Sequence, residues 1–198
     1  MEQLTSDDLY SLEQYASIRS VFRDKVIAHQ KQRRVQLGRH LVVCFESKLT
    51  VQYQVQEILR AARIFESERI KAELAAYKPL LPNGGNLKAT MMLQGDNNEN
   101  LANIGECIWL QCNGAPRVYA SSDYKVTGLT AMQWLVFDLD SASRASFKQQ
   151  RVVESTSVEP GNRSKISIGV EHERYKYQRA LPRSVCDSIA EDLPGIRA

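Results

Sequence analysis

Most of the features that announce a chemistry are missing from this 198-residue sequence. No uninterrupted apolar run approaches the roughly 20 residues needed to span a bilayer, so no membrane helix is expected. The N-terminus, MEQLTSDDLYSL, lacks a cationic segment followed by an apolar stretch. It does not read as a secretory signal, and a cytoplasmic location is the expectation. No G-x-S-x-G elbow, Walker loop, G-x-G-x-x-G or H-E-x-x-H occurs, which sets aside serine hydrolysis and generic nucleotide hydrolysis. None of the four cysteines forms a C-x-x-C. Cys107 and Cys112 fall at odd spacing in what reads as one strand, so their side chains point to opposite faces. Reduced, partly buried thiols are expected, with no metal held between them. A dominant charge is absent too: 26 basic residues against 23 acidic ones leave +3, too little for the whole surface to attract a polyanion.

What remains is an ordinary globular composition, 43% apolar and 25% charged. One domain over 1–198 is expected, with a helix–hairpin–helix part (1–82) and a mainly β part carrying a closing helix (83–198). Thr5 and Asp8 suggest a capping box, and Leu9, Leu12, Ala16, Ile18, Phe22 and Val26 continue at helical spacing, which predicts a first helix from about Ser6 to Arg33. Leu41–Phe45 and Val51–Val55 alternate and predict a hairpin through Glu46-Ser47-Lys48-Leu49. A second helix, about Gln56 to Tyr77, directs Ile58, Ala62, Phe65, Ile70, Leu74 and Tyr77 inward. Strands follow at Leu87–Gln94, Glu106–Cys112, Arg117–Ser121 (after an Asn113-Gly114 turn), Gln133–Asp138, Val152–Ser157 and Lys165–Val170. A short helix from about Arg183 to Asp192 closes the chain. The class is α+β: long N-terminal helices packed on a mainly antiparallel β-sheet, with a short C-terminal helix.

Three patterns bear on function. WLVFDLDSA (134–142) resembles the first motif of the haloacid-dehalogenase phosphatases, but Ala142 stands where that motif has Thr. Too little chain follows Asp138 for a doubly wound domain, so Asp138 and Asp140 read as solvated carboxylates at a strand end. From Arg19 to His40, seven cations (Arg19, Arg23, Lys25, Lys31, Arg33, Arg34 and Arg39) meet a single acid, Asp24. Such a cluster reads as a solvated helix end, as a docking face for an acidic protein, or as a phosphate-binding face. Phe22 is the only aromatic in it, so nucleic acid is the weakest of the three. In TVQYQVQEILRAARI (50–64), Gln56, Glu57 and Arg60 lie within one helical turn. They read either as a corner lock, Arg60 reaching back to Glu46, or as a pocket in which Glu46, Glu57, Arg60 and His172 converge.

LEQYASIRSVFRDKVIAHQKQRRVQLGRH, FESKLTVQYQVQEILRAARI, AELAAYKPLLP and LKATMML resemble the bacterial domain-of-unknown-function family numbered 3501. IGVEHERY (168–175) is similar to that family's His-x-x-Tyr segment. The resemblance places the family's polar signature on Glu46, Gln54, Gln56, Glu57, Arg60 and His172, with Tyr175 beside it. It implies no activity or cofactor. It does imply an association with genes for iron–sulfur and rubrerythrin-like di-iron proteins. Family members often carry Glu where this chain has Ala62, and an acid near Gln94, so the resemblance argues against a metal site here. The expectation is a non-catalytic accessory protein that binds such a redox partner. The alternatives are a metal-dependent or small-molecule-acting enzyme using the Glu/Arg/His set, and nucleic-acid binding through 19–40.

Overall fold

Ser47 decides the first half of the fold. Its hydroxyl accepts the Thr50 N–H at 3.4 Å while its own N–H donates to Thr50 Oγ1 at 2.8 Å, a reciprocal cap. From that cap the chain enters helix α2 (Lys48–Ala61), so TVQYQVQ is helical and does not form the outer strand of a hairpin. The alternation misleads because Val51 and Val55 satisfy a period of two and a period of four alike. With Leu59 they make the buried ridge of α2.

In the computed structural model, which describes residues 3–94, 101, 103–122, 132–152 and 165–193, the hairpin lies one step earlier in the chain. Thr5 and Asp8 cap only a 3-10 turn (Ser6–Asp8); helix α1 (Leu12–Lys31) has its own box, Ser11 with Gln14. Strand β1 (Arg34–Leu37) turns at Gly38, φ +67°, into β2 (Leu41–Phe45), with Leu37 opposite Leu41. After α2, Arg63 at φ +51° bends the chain before helix α3 (Ser67–Tyr77), splitting the expected second helix in two. That bend turns Ile64 inward and leaves Phe65 72% exposed; Ala62 is exposed as well, so neither serves the core as expected.

Beyond α3 come β3 (Asn86–Leu93), β4 (Ile108–Cys112), β5 (Val118–Tyr119) and β6 (Met132–Asp138). Asn113 and Gly114 take φ +50° and +74°, the paired positive values of a type I′ turn, closed by the Ala115 N–H on Cys112 O at 2.8 Å, although β5 begins only at Val118. Asp140 accepts the Ser143 N–H at 2.7 Å at the start of α4 (Ser141–Val152), a helix that the sequence reading did not anticipate. Val152, expected to open a strand, ends that helix, and the other positions of that strand lie outside the described residues. Strand β7 (Ile166–His172) then pairs with β8 (Tyr175–Ala180), which precedes helix α5 (Arg183–Ala190). β8 escaped notice because it is an exposed edge strand without apolar alternation.

The strands make two antiparallel sheets, ordered β1-β2-β3-β6 and β5-β4-β7-β8, where one sheet was expected. Leu37, Val43, Phe45, Met91, Leu110, Ile168 and Val170 share one core between them, closed by Phe147 of α4 and Val185 and Ile189 of α5. The three N-terminal helices pack through Val51, Val55 and Leu59 against Trp134 of β6. Tyr15, Phe22 and Val26 of α1 meet Leu49 and Tyr53 of α2. The architecture is α+β.

Candidate functional site

The polar residues of α2 divide their work among three partners. Lys48, Gln52 and Gln56 recur every fourth residue and so form one ridge. Lys48 Nζ pairs with Asp8 Oδ1 at 2.8 Å, and Gln52 Nε2 donates to Asp8 O at 2.5 Å. Gln56 takes both main-chain groups of Tyr10: its Oε1 accepts the Tyr10 N–H and its Nε2 donates to Tyr10 O, each at 3.0 Å. This ridge straps the N-terminal segment to the helix.

Glu57 faces α1. Its Oε1 accepts from Tyr15 OH at 2.7 Å and from Arg19 Nε at 2.8 Å; its Oε2 accepts from Arg19 Nη2 at 2.8 Å and Arg60 Nη2 at 3.4 Å. The bidentate Arg19 contact, aided by Tyr15, holds the Glu57 carboxyl down at about 2. Burial and the neighbouring carboxylate push the Tyr15 phenol well above its ordinary value. Arg60 reaches Glu57 through Nη2 alone and does not lock Glu46 as the corner reading had it.

Glu46, only 3% exposed, is held by a different set. Its carboxylate accepts from Thr50 Oγ1 at 2.5 Å, Thr90 Oγ1 at 2.5 Å and Gln54 Nε2 at 3.1 Å, tying α2 to β3. Beside it, Ser47 Oγ lies 2.9 Å from His29 Nε2. Burial first, then Arg33 and Lys25, hold the His29 imidazole below its usual value.

Arg33 is the clearest correction to the expected basic face. It is 1% exposed. Nε donates to Phe45 O at 3.0 Å, Nη2 to Glu46 O at 3.0 Å, and Nη1 to Ser188 O and Oγ at 2.9 and 3.2 Å, while Nη2 also pairs with Asp192. A planar fork of five N–H groups can satisfy so many acceptors in one place. Burial pushes the Asp192 carboxyl up to about 6 against the pull of Arg33. The residue thus joins the end of α1, the end of β2 and α5.

His172 ends β7, where its Nδ1 accepts the Arg174 N–H at 3.2 Å. Tyr175 begins β8 and bolts the second sheet to the first: its hydroxyl donates to Leu37 O at 2.6 Å and accepts the His40 N–H at 3.2 Å. A Cβ at Gly38 would collide with that hydroxyl. Of the expected set, Glu57 meets Arg60 and Glu46 meets Gln54, while Glu46, Glu57 and His172 are each held by different neighbours. Glu46, Glu57 and His172 share no hydrogen-bonding partner, and no group of three or more His, Cys, Asp or Glu that could hold a metal gathers among the described residues. The described cysteines are free thiols; burial raises Cys44 and Cys186 to about 12 and Cys112 to about 11. Cys107 lies in a 3-10 turn rather than in β4.

With Arg19 and Arg33 engaged elsewhere, five of the seven expected cations remain on the surface. Arg23, Lys25, Lys31, Arg34 and Arg39 are exposed, with no ion-pair partner among the described residues. On the helical wheel Lys31, Asp24 and Val21 share the outer arc of α1, with Arg23 and Lys25 at its two margins. Val21 is 75% exposed and Ile27 38%. Sequence reasoning missed a second polar surface on the other sheet. Arg117 stacks 4.1 Å over the Trp109 ring and pairs with Glu171. Gly169 gives the indole room, since any Cβ there would overlap it.

No curated protein matches the chain. Its fold is similar to a crystallised protein of unknown function from Burkholderia pseudomallei K96243. The two share 33% sequence identity and a TM-score of 0.86, over 97% of this chain and 100% of that one. A family model described as a protein of unknown function, DUF3501, matches residues 3–193, and the chain belongs to that family.

Proposed function

We propose that this chain is a non-catalytic binding protein that docks an acidic protein partner on the outer face of α1 and the adjoining β1 edge. The observation that carries the reading is the set of five exposed cations, Arg23, Lys25, Lys31, Arg34 and Arg39, without an ion-pair partner among the described residues, together with the exposed apolar side chains of Val21 and Ile27. Exposed apolar side chains among cations that outnumber the one acid of the segment, Asp24, suit a docking surface whose charges steer encounter and register. The residues that could have made a pocket point the other way. The Glu46 and Glu57 carboxylates are engaged by neighbours that hold helices and strands together. The gene association implied by the family resemblance nominates an iron–sulfur or rubrerythrin-like redox protein as the partner.

The test uses defined probes, a soluble acidic ferredoxin and a rubrerythrin, titrated against the wild type and a K25E/K31E/R34E variant. Reversing three charges at the rim of such a contact should weaken binding about a hundredfold and flatten its salt dependence. No binding of either probe, or equal binding by wild type and variant, contradicts the proposal. Tighter binding of duplex DNA than of either protein would replace it with the nucleic-acid reading.

A further inference from the structure

A cavity of about 330 Å³ opens elsewhere on the molecule, where the N-terminal segment, the α2–α3 bend and the start of α3 meet. That size lies at the lower end of the range of small-molecule sites, about 300–1,000 Å³. Its apolar wall comes from Leu9, Leu12, Leu59, Ile64 and Ile70. Two aromatic side chains with open surface, Tyr10 and Phe65, also line it, as does the Glu13 carboxylate.

The cavity is built rather than incidental. The Tyr10 wall is fixed by its two hydrogen bonds with Gln56, and the segment before it by Lys48 and Gln52 on Asp8. The opposite wall is set by the left-handed Arg63, which buries Ile64 and delivers Phe65 to the surface. These restraints hold the two walls apart without any side chain having to fill the space, so little ordering cost falls on a ligand.

The lining also chooses a sign of charge. Glu13 is its one charged side chain, and no described lysine or arginine contributes. Its own N–H and the Ser11 hydroxyl hold the Glu13 carboxyl below the usual range, so it stays ionised. Ser67 brings the start of α3 to the cavity, and there Glu66 at the N-cap and Glu68 in the first turn already offset the helix dipole. Apolar wall, exposed aromatic rings and a lone carboxylate are the elements that recognise an organic cation with an apolar body.

We propose that this cavity binds a small organic ammonium ion, the apolar body against Leu59, Ile64 and Ile70 and the cation toward Glu13, Tyr10 and Phe65. Calorimetric titration of the whole protein with 2-phenylethylammonium, its neutral isostere 2-phenylethanol and the anion 3-phenylpropionate tests it. The ammonium ion is expected to bind tightest, the alcohol about tenfold more weakly and the anion weakest. Glu13→Gln should erase the difference between ammonium and alcohol. Ile70→Trp, which fills the cavity, should abolish binding with the thermal midpoint retained; if that variant fails to fold, Ser67→Phe decides. Tightest binding of the anion, unchanged affinity in a folded filling variant, or no saturable binding of any probe at millimolar concentration each overturns the proposal.

Discussion

Gln56 of α2 satisfies both main-chain polar groups of Tyr10, accepting its N–H and donating to its carbonyl at 3.0 Å each, while itself 0% exposed. The segment leading into α1 is therefore held by a side chain and not by a strand or helix partner. Gln56→Ala leaves a peptide N–H and C=O without their partners. The expected loss is about 2–4 kcal/mol by denaturant unfolding, from two hydrogen bonds and the desolvation left uncompensated. A loss below about 0.5 kcal/mol would mean the segment is held some other way.

Arg33 and Arg34 are neighbours in sequence with opposite fates. Arg33→Met strands the partly buried Asp192 carboxylate and three main-chain acceptors, and should cost about 3–5 kcal/mol. Arg34→Met changes an exposed residue and should fall within about 0.5 kcal/mol of wild type. Equal effects of the two in thermal or chemical unfolding would contradict the placement of Arg33.

Glu57 gives the stability a defined acid limb. Its carboxyl is depressed from 4.5 to about 2 in the folded chain, first by Arg19. Its contribution is therefore complete above pH 4.5 and is lost as the pH falls toward 2. Glu57 is partly exposed, so solvent screening reduces the contribution to about 1–2 kcal/mol. Asp192, raised to about 6, acts with the opposite sign over a neighbouring window, losing stability as pH rises from 3.8 through 6. The difference between wild type and Glu57→Gln isolates the Glu57 limb. A pH-independent difference across that range would contradict the assignment.

Tyr175, which the family resemblance sets beside the polar signature, has a hydroxyl that closes a contact between sheets. Tyr175→Phe should cost about 1 kcal/mol through loss of the donor to Leu37 O, and should leave binding at α1 untouched. Loss of partner affinity at unchanged stability would assign the hydroxyl a role in recognition.

The legibility of the sequence varied with the kind of signal. Apolar periodicity located α1, β2, β3, β6 and the α+β class, because burial on one face leaves a repeat that any window detects. It failed at Val51–Val55, where the two periods coincide and Ser47 and Thr50 had to arbitrate. It failed again at β8, whose residues are too exposed to carry a pattern. The polar residues were recognised as a group, and the turn spacing of Glu57 and Arg60 foretold their pair, but their partners on other elements were not legible. Gln56 finds Tyr10, and Glu57 finds Tyr15 and Arg19, through tertiary packing across as many as 46 positions, which local spacing does not encode. The fourfold spacing of Lys48, Gln52 and Gln56 was the one available sign of a polar ridge. Nor does sequence distinguish Arg33 from Arg34; the end of α1 at Lys31 and the direction of β1 do.

Hydrogen–deuterium exchange on the protein saturated with a ferredoxin or rubrerythrin that binds it tests the central claim most directly. The account predicts protection along the outer face of α1 and through Arg34–Leu37, with the Trp109–Arg117 surface exchanging as in the free protein. Protection at Trp109 and Arg117 with α1 unchanged would contradict it.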